Sequence, residues 1–194
     1  MPKRTDTRQR VLDTAAVLFQ QQGYEATGLN QILTESGAPK GSLYFHFPGG
    51  KEQLATEALA MSGARLSRRL EDDLRQAATT AEAVDAIVNH LAERLVESDY
   101  AAGCPIATVA LEATGNETIR RTCDDAYRSW ERIIADHLAS RGVPQENAGP
   151  LATTVLATIE GALLLAKTRK DLAPLRDAAA VLRPLLDPPS PQQA

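Results

Sequence analysis

Three features of the sequence predict an all-α chain, in which a small N-terminal head is joined by one long helix to a larger helical body. Apolar residues recur at intervals of three and four through almost every segment, the spacing of helix faces. Glycine and proline punctuate those segments at Gly23, Gly37, Pro48-Gly49-Gly50, Gly103, Gly115 and Gly142-Val143-Pro144. No stretch shows the alternation of a strand, and 194 residues are enough to bury a sizeable core.

The first helix is expected over residues 7–21, where Val11, Leu12, Ala15, Ala16 and Phe19 share a face and Gln20-Gln21-Gln22 leads to a stop at Gly23. Thr27 is expected to cap a short second helix carrying Leu29, Ile32 and Leu33, and Gly37 suits its left-handed C-terminal cap. Pro39 begins a third short helix in which Leu43 and Phe47, four residues apart, face inward. A long helix starts at Lys51 with Leu54, Ala58, Leu66, Leu70 and Leu74, and at 1.5 Å per residue it runs over ~35 Å. Further helices are expected at about 80–98, 104–113, 116–140, 150–169 and 173–186. The resulting domains are 1–50, 51–187 and a disordered tail over 188–194, rich in proline and polar residues.

Charge and aromatics are unevenly spread. Residues 1–51 hold six Lys/Arg against four Asp/Glu, a net +2, whereas the rest holds fifteen against twenty-one, a net −6. Five of the eight aromatics, Phe19, Tyr24, Tyr44, Phe45 and Phe47, fall in the same N-terminal stretch, as a small core requires. A weakly basic head on an acidic body fits a protein that meets a polyanion at one end. Cys104 and Cys123 have no metal-ligand spacing, so neither a metal site nor a disulfide framework is expected, and a reactive role for Cys104 is disfavoured by its lack of cationic neighbours in sequence. Neither a signal peptide nor an uninterrupted apolar run of roughly 20 residues is evident, which gives a cytoplasmic protein without a membrane partner as the expectation.

The chemistry concentrates between Thr27 and Leu54. Two short helices separated by Gly37-Ala38 have the helix-turn-helix arrangement, whose second helix enters the major groove with its N-terminal residues near base edges. Those residues here are Lys40, Gly41 and Ser42: lysine donates to guanine, serine adapts, and glycine lets backbone approach closely. Tyr44, Thr27 and Lys51 suit phosphate oxygens, and His46 closes the same helix. Taken singly, each lysine also reads as an ordinary surface residue and Tyr44 as half-buried core. Two alternatives stand beside sequence-specific binding. A helical enzyme lacks organised residues, since His46, His90 and His137 are far apart and the latter two read as exposed. A non-specific architectural DNA protein fits poorly with so small a basic region.

The run Phe19, Gly23-Tyr24, Thr27, Ile32, Gly37, Lys40-Gly41-Ser42-Leu43-Tyr44-Phe45-His46-Phe47-Pro48 and Lys51-Glu52-Gln53-Leu54 resembles the DNA-binding domain of TetR-family regulators. A doubled glycine, Gly49-Gly50, and the later Gly103-Cys104-Pro105-Ile106 are similar to the LmrA/YxaF-like branch. The resemblance implies a transcriptional regulator, in the first instance a repressor, with double-stranded operator DNA, a small lipophilic effector and a second copy of itself as partners. No cofactor, metal or catalytic residue is implied. The effector pocket is expected among Leu66, Leu91, Leu95, Ile106, Val109, Tyr127, Trp130, Ile133, Ile159 and Leu163. The last two helices are expected to form a four-helix dimer interface through Leu156, Leu163, Ala166, Leu175 and Leu182.

Overall fold

A computed structural model describes residues 4–186, and among these every regular element is helical. The expected tail at 188–194 lies outside the described residues. The helices are α1 (Arg4–Ala26), α2 (Leu29–Ser36), α3 (Ser42–His46), α4 (Gly50–Gln76), α5 (Thr80–Glu97), α6 (Ala107–Ala110), α7 (Glu117–Ser140), α8 (Gln145–Arg169) and α9 (Ala173–Leu186), with a 3-10 turn at Ala113–Gly115.

Packing divides the chain into two compact units. The first holds the chain up to Arg65 together with Cys104–Ala126; the second holds Leu66–Gly103 and the chain from Tyr127 onward. The first unit thus extends past residue 50 to include the start of α4, α6 and the start of α7. α4 and α7 each run from one unit into the other.

In the first unit, α1 packs on α2, α3 and α6 around Val11, Phe19, Ile32, Leu43, Phe47 and Leu54, each nearly or fully buried. Gly23 breaks α1 with φ 86° and ψ 177°, so the sequence stop is real but one further turn follows it. The end of α2 follows the rule for a glycine in left-handed conformation: Gly37 has φ 64° and ψ 24°, its N–H donates to Thr34 O, and the Ala38 N–H reaches Leu33 O at 3.0 Å. Gly50, the second of the doubled glycines and the first residue of α4, also has a positive φ of 64°, a conformation that costs glycine nothing. The Arg8 guanidinium lies 5.0 Å over the ring of Phe47, the residue that ends α3, and pairs with Glu57, which ties α1 to that end and to α4.

In the second unit, α5, α8 and α9 pack on one another. Thr79 caps α5 by accepting from the Glu82 N–H at 3.1 Å, while the Glu82 carboxylate accepts from the Ala78 N–H at 2.8 Å. α8 is long and apolar enough to cross a membrane by length and composition, although Glu160 and Lys167 interrupt its apolar run. Its apolar residues lie on two faces. Ala152, Val155, Ile159, Ala162, Leu163 and Ala166 are buried within the unit, whereas Leu164 and Leu165 are 60% and 45% exposed.

Candidate nucleic-acid interface and interior cavity

α3 is a single short turn set on the core by two side chains. Leu43 and Phe47 are 1% and 0% exposed, so the rest of the helix is turned outward by geometry alone. Lys40, Gly41, Tyr44 and Phe45 are exposed, and Ser42 and His46 are half-buried. The Ser42 hydroxyl donates to Pro39 O at 2.6 Å, which steadies the start of the turn. Phe45 is 59% exposed beside Tyr44 at 64%, and its ring meets His46 edge-on at 4.9 Å. Phe45, counted by its type among the aromatics of a small core, is at the surface instead. The i,i+4 spacing of its neighbours was the signal that it is not core.

Lys51 stands in the first turn of α4. Its Nζ lies 4.4 Å over the Tyr24 ring and donates to Glu25 O at 3.4 Å. Burial, with Glu52 and Glu25 nearby, pushes the Tyr24 phenol above its ordinary pKa, so it stays protonated beside the ammonium. Lys40, Gly41, Ser42, Tyr44, His46 and Lys51 are therefore brought to the surface of one unit. Thr27 is not. It is 0% exposed, and its hydroxyl donates to Gly23 O at 2.6 Å. The residue before α2 is Gly28, which makes no side-chain cap. The expected cap and phosphate contact of the Thr27 side chain is corrected on this ground: its one donor is spent inside, on a carbonyl freed by the break at Gly23.

The second unit holds a small cavity, partly open to solvent, of about 60 Å³, lined by Leu66, Leu70, Ile87, Leu91, Trp130, Ile134, Leu156 and Ile159, with Arg69, Asp73, His90 and Glu160 as its polar members. Trp130 is 1% exposed and meets Tyr127 edge-on at 5.4 Å. Asp73, 8% exposed, pairs with Arg69 at 3.0 Å. Burial, with Arg69 and Arg94 nearby, lowers the His90 pKa from its ordinary value, so the imidazole is neutral at pH 7. His90 and His137 are both half-buried, not exposed as the sequence suggested.

Of the expected pocket residues, Leu66, Leu91, Trp130 and Ile159 line this cavity. Leu95, Tyr127, Ile133 and Leu163 belong to the same unit but are not among its lining residues. Ile106 and Val109 are corrected: both are fully buried in the first unit, where the chain returns after Gly103 to pack against α1. Leu156 lines the cavity, and Leu163, Ala166, Leu175 and Leu182, expected at a dimer interface, are 4%, 0%, 0% and 1% exposed within the protomer. These four side chains are therefore taken up by the protomer's own core. The apolar side chains that remain at the surface of α8 and α9 are Leu164, Leu165, Val181 and Leu185, all at least 45% exposed. Cys104 and Cys123 are buried and not disulfide-bonded, and burial pushes the Cys123 thiol up to about 11.

An outward-facing third helix held by Leu43 and Phe47 over a three-helix core defines a helix-turn-helix DNA-binding protein. Residues 11–58 match the family described as bacterial regulatory proteins, tetR family, and residues 80–181 match the C-terminal domain of LmrA/YxaF-like transcriptional regulators. The chain is 40% identical over 176 residues to the HTH-type transcriptional regulator YxaF of Bacillus subtilis (strain 168), covering 90% of this chain and 92% of that one. It is 38% identical over 182 residues to the HTH-type transcriptional regulator LmrA of the same strain, covering 93% and 97%. A TetR transcriptional regulator from Chloroflexus aurantiacus J-10-FL superposes with a TM-score of 0.83 at 29% identity, covering 97% and 98%. The chain belongs to the TetR family of transcriptional regulators, in its LmrA/YxaF-like branch, and is a DNA-binding regulator and not an enzyme.

Proposed function

We propose that the protein is a cytoplasmic, homodimeric repressor that leaves its operator when a small, largely apolar molecule enters the cavity beside Trp130. The observation that carries this reading is the apolar cavity with a neutral imidazole and a buried carboxylate at its edge, in the unit that does not hold α3. Its volume of about 60 Å³ falls far below the ~300–1,000 Å³ of a drug-sized pocket, so a ligand of that size has to select a wider form. The outward surface of α8 and α9 around Leu164, Leu165, Val181 and Leu185 supports a dimer, because apolar residues gathered on adjoining helices favour burial against a second copy.

On the operator, we assign Lys40 to base edges, Tyr44 and Lys51 to phosphates, and Phe45 to the methyl group of a thymine, the apolar feature of the major groove. Three substitutions separate these roles on a duplex obtained by in vitro selection. Lys40→Ala is expected to cost about 1 to 3 kcal/mol and relax the choice of base at one position per half-site. Lys51→Ala weakens all sequences alike and flattens the dependence of log affinity on log salt by about one unit per cation lost. Phe45→Ala removes the preference for thymine over uracil at one position, worth ~0.8 kcal/mol or about 4-fold for one buried methyl. Titration by fluorescence anisotropy across a salt series reads all three; full affinity and unchanged selectivity in every variant would remove α3 and Lys51 from the interface.

A further inference from the structure

The break in α1 at Gly23 frees a pair of backbone groups that an unbroken helix would join. The Tyr24 N–H would ordinarily donate to Gln20 O, four residues back. Instead the Tyr24 N–H donates to Glu112 Oε2 at 2.6 Å, the Glu25 N–H donates to the same oxygen at 3.0 Å, and Gln20 O accepts from the Thr108 hydroxyl at 3.1 Å. Thr108 and Glu112 lie 88 residues further along, on α6 and just after it, yet they fill both halves of the broken helical bond. A third contact comes from the same segment: the Asn116 amide donates to the Glu52 carboxylate in the first turn of α4 at 2.8 Å. Gly23 is matched to this arrangement, because a Cβ there would stand 2.3 Å from Glu112 Oε1.

We propose that Glu112 is a positioning residue for DNA binding. Its carboxylate holds α1 broken at Gly23 and so sets the course of the chain into α2 and α3, and it fixes Tyr24 and Glu25, on which the Lys51 ammonium rests. Glu112 meets no DNA. The proposal rests on the DNA-binding role of α3 and adds to it the group that holds α3 ready. It also gives segment 104–116, which enters the first unit directly from the second, a means of releasing the head: withdrawing one carboxylate leaves two backbone N–H groups without their acceptor.

Charge alone predicts the opposite of what positioning predicts. Removing a carboxylate from a DNA-binding head weakens repulsion of the phosphates and raises affinity. Glu112→Ala is expected instead to weaken binding to a selected duplex by about ten-fold or more, as loss of a pair of charge-assisted hydrogen bonds would. The salt dependence stays unchanged because no cation is lost, and amide hydrogen exchange speeds up at Tyr24 and Glu25. Glu112→Gln also removes the charge but keeps an oxygen able to accept both N–H groups, so it restores most of the affinity and the protection. Thr108→Val supplies an independent arm if the alanine variant does not fold, since it takes the hydroxyl away from Gln20 O without touching a charge; it too is expected to weaken binding to the duplex. Affinity that is unchanged or raised in Glu112→Ala, with faster exchange at both amides, overturns the proposal, as does a glutamine variant no better than alanine, or a Thr108→Val variant that binds like the wild type.

Discussion

Leu164→Glu combined with Val181→Glu is expected to give a folded monomer that has lost nearly all operator affinity. Both side chains are exposed, at 60% and 65%, on the outer surface of two helices that pack on each other, so neither change disturbs the protomer's core. Two new carboxylates at an apolar contact must be desolvated without partners for the dimer to form, and association energy does not cover that cost. A single head then binds its half-site without the second held nearby, and affinity falls on the order of 10²- to 10⁴-fold. Sedimentation velocity and circular dichroism check the first part, duplex titration the second. Leu163→Glu serves as the contrast: at 4% exposed, it places its charge inside the protomer and is expected to unfold the protein instead of separating subunits. A folded dimer in the double variant would place the interface on another surface.

A ligand of the cavity is expected to change operator affinity roughly 5- to 150-fold, the range of couplings of about 1 to 3 kcal/mol. Trp130, the one tryptophan of the chain and 1% exposed against the cavity, reports occupancy through its emission. Lipophilic compounds should quench or shift that emission over the same concentrations that release the duplex, and by linkage the duplex should weaken the compound by the same factor. Because the cavity has room for only about 60 Å³, binding should also rearrange the walls, seen as altered hydrogen exchange along α4 and α7 near Leu66 and Trp130. A compound that saturates the Trp130 signal without altering operator affinity is not the effector, and if no compound that fills the cavity alters it, the cavity is not the regulatory site.

The legibility of this protein follows the range of the forces involved. The helix-turn-helix was readable because its determinants are local: Gly37 needs only its own left-handed conformation, and Leu43 with Phe47 orient α3 by spacing alone. Thr27 was misread because the destination of its hydroxyl depends on the Gly23 break. α8 defeated periodicity for a different reason. With apolar residues on two faces, Leu163 and Leu164 are equivalent in sequence, and only packing against α5 and α9 decides which is core and which is surface. Ile106 and Val109, apolar like the pocket residues they are expected among, are in the first unit because the chain returns after Gly103 to α1, a long-range contact that apolar character does not reveal. Glu112 carried no sequence signal at all, since its partners are 88 and 87 residues away and both are backbone groups.

Two copies of α3 are expected to read one DNA site as a pair. In vitro selection of duplexes with the full chain, followed by hydroxyl-radical footprinting and measurement of stoichiometry on the selected site, tests it most directly. The expected result is a near-palindrome with half-site centres about one helical turn or a multiple apart, protection on one face of the duplex, and binding of protomers in even number, all abolished by Leu164→Glu with Val181→Glu. Enrichment of no sequence, or of a single unrepeated half-site bound by one protomer with undiminished affinity in that variant, would contradict it.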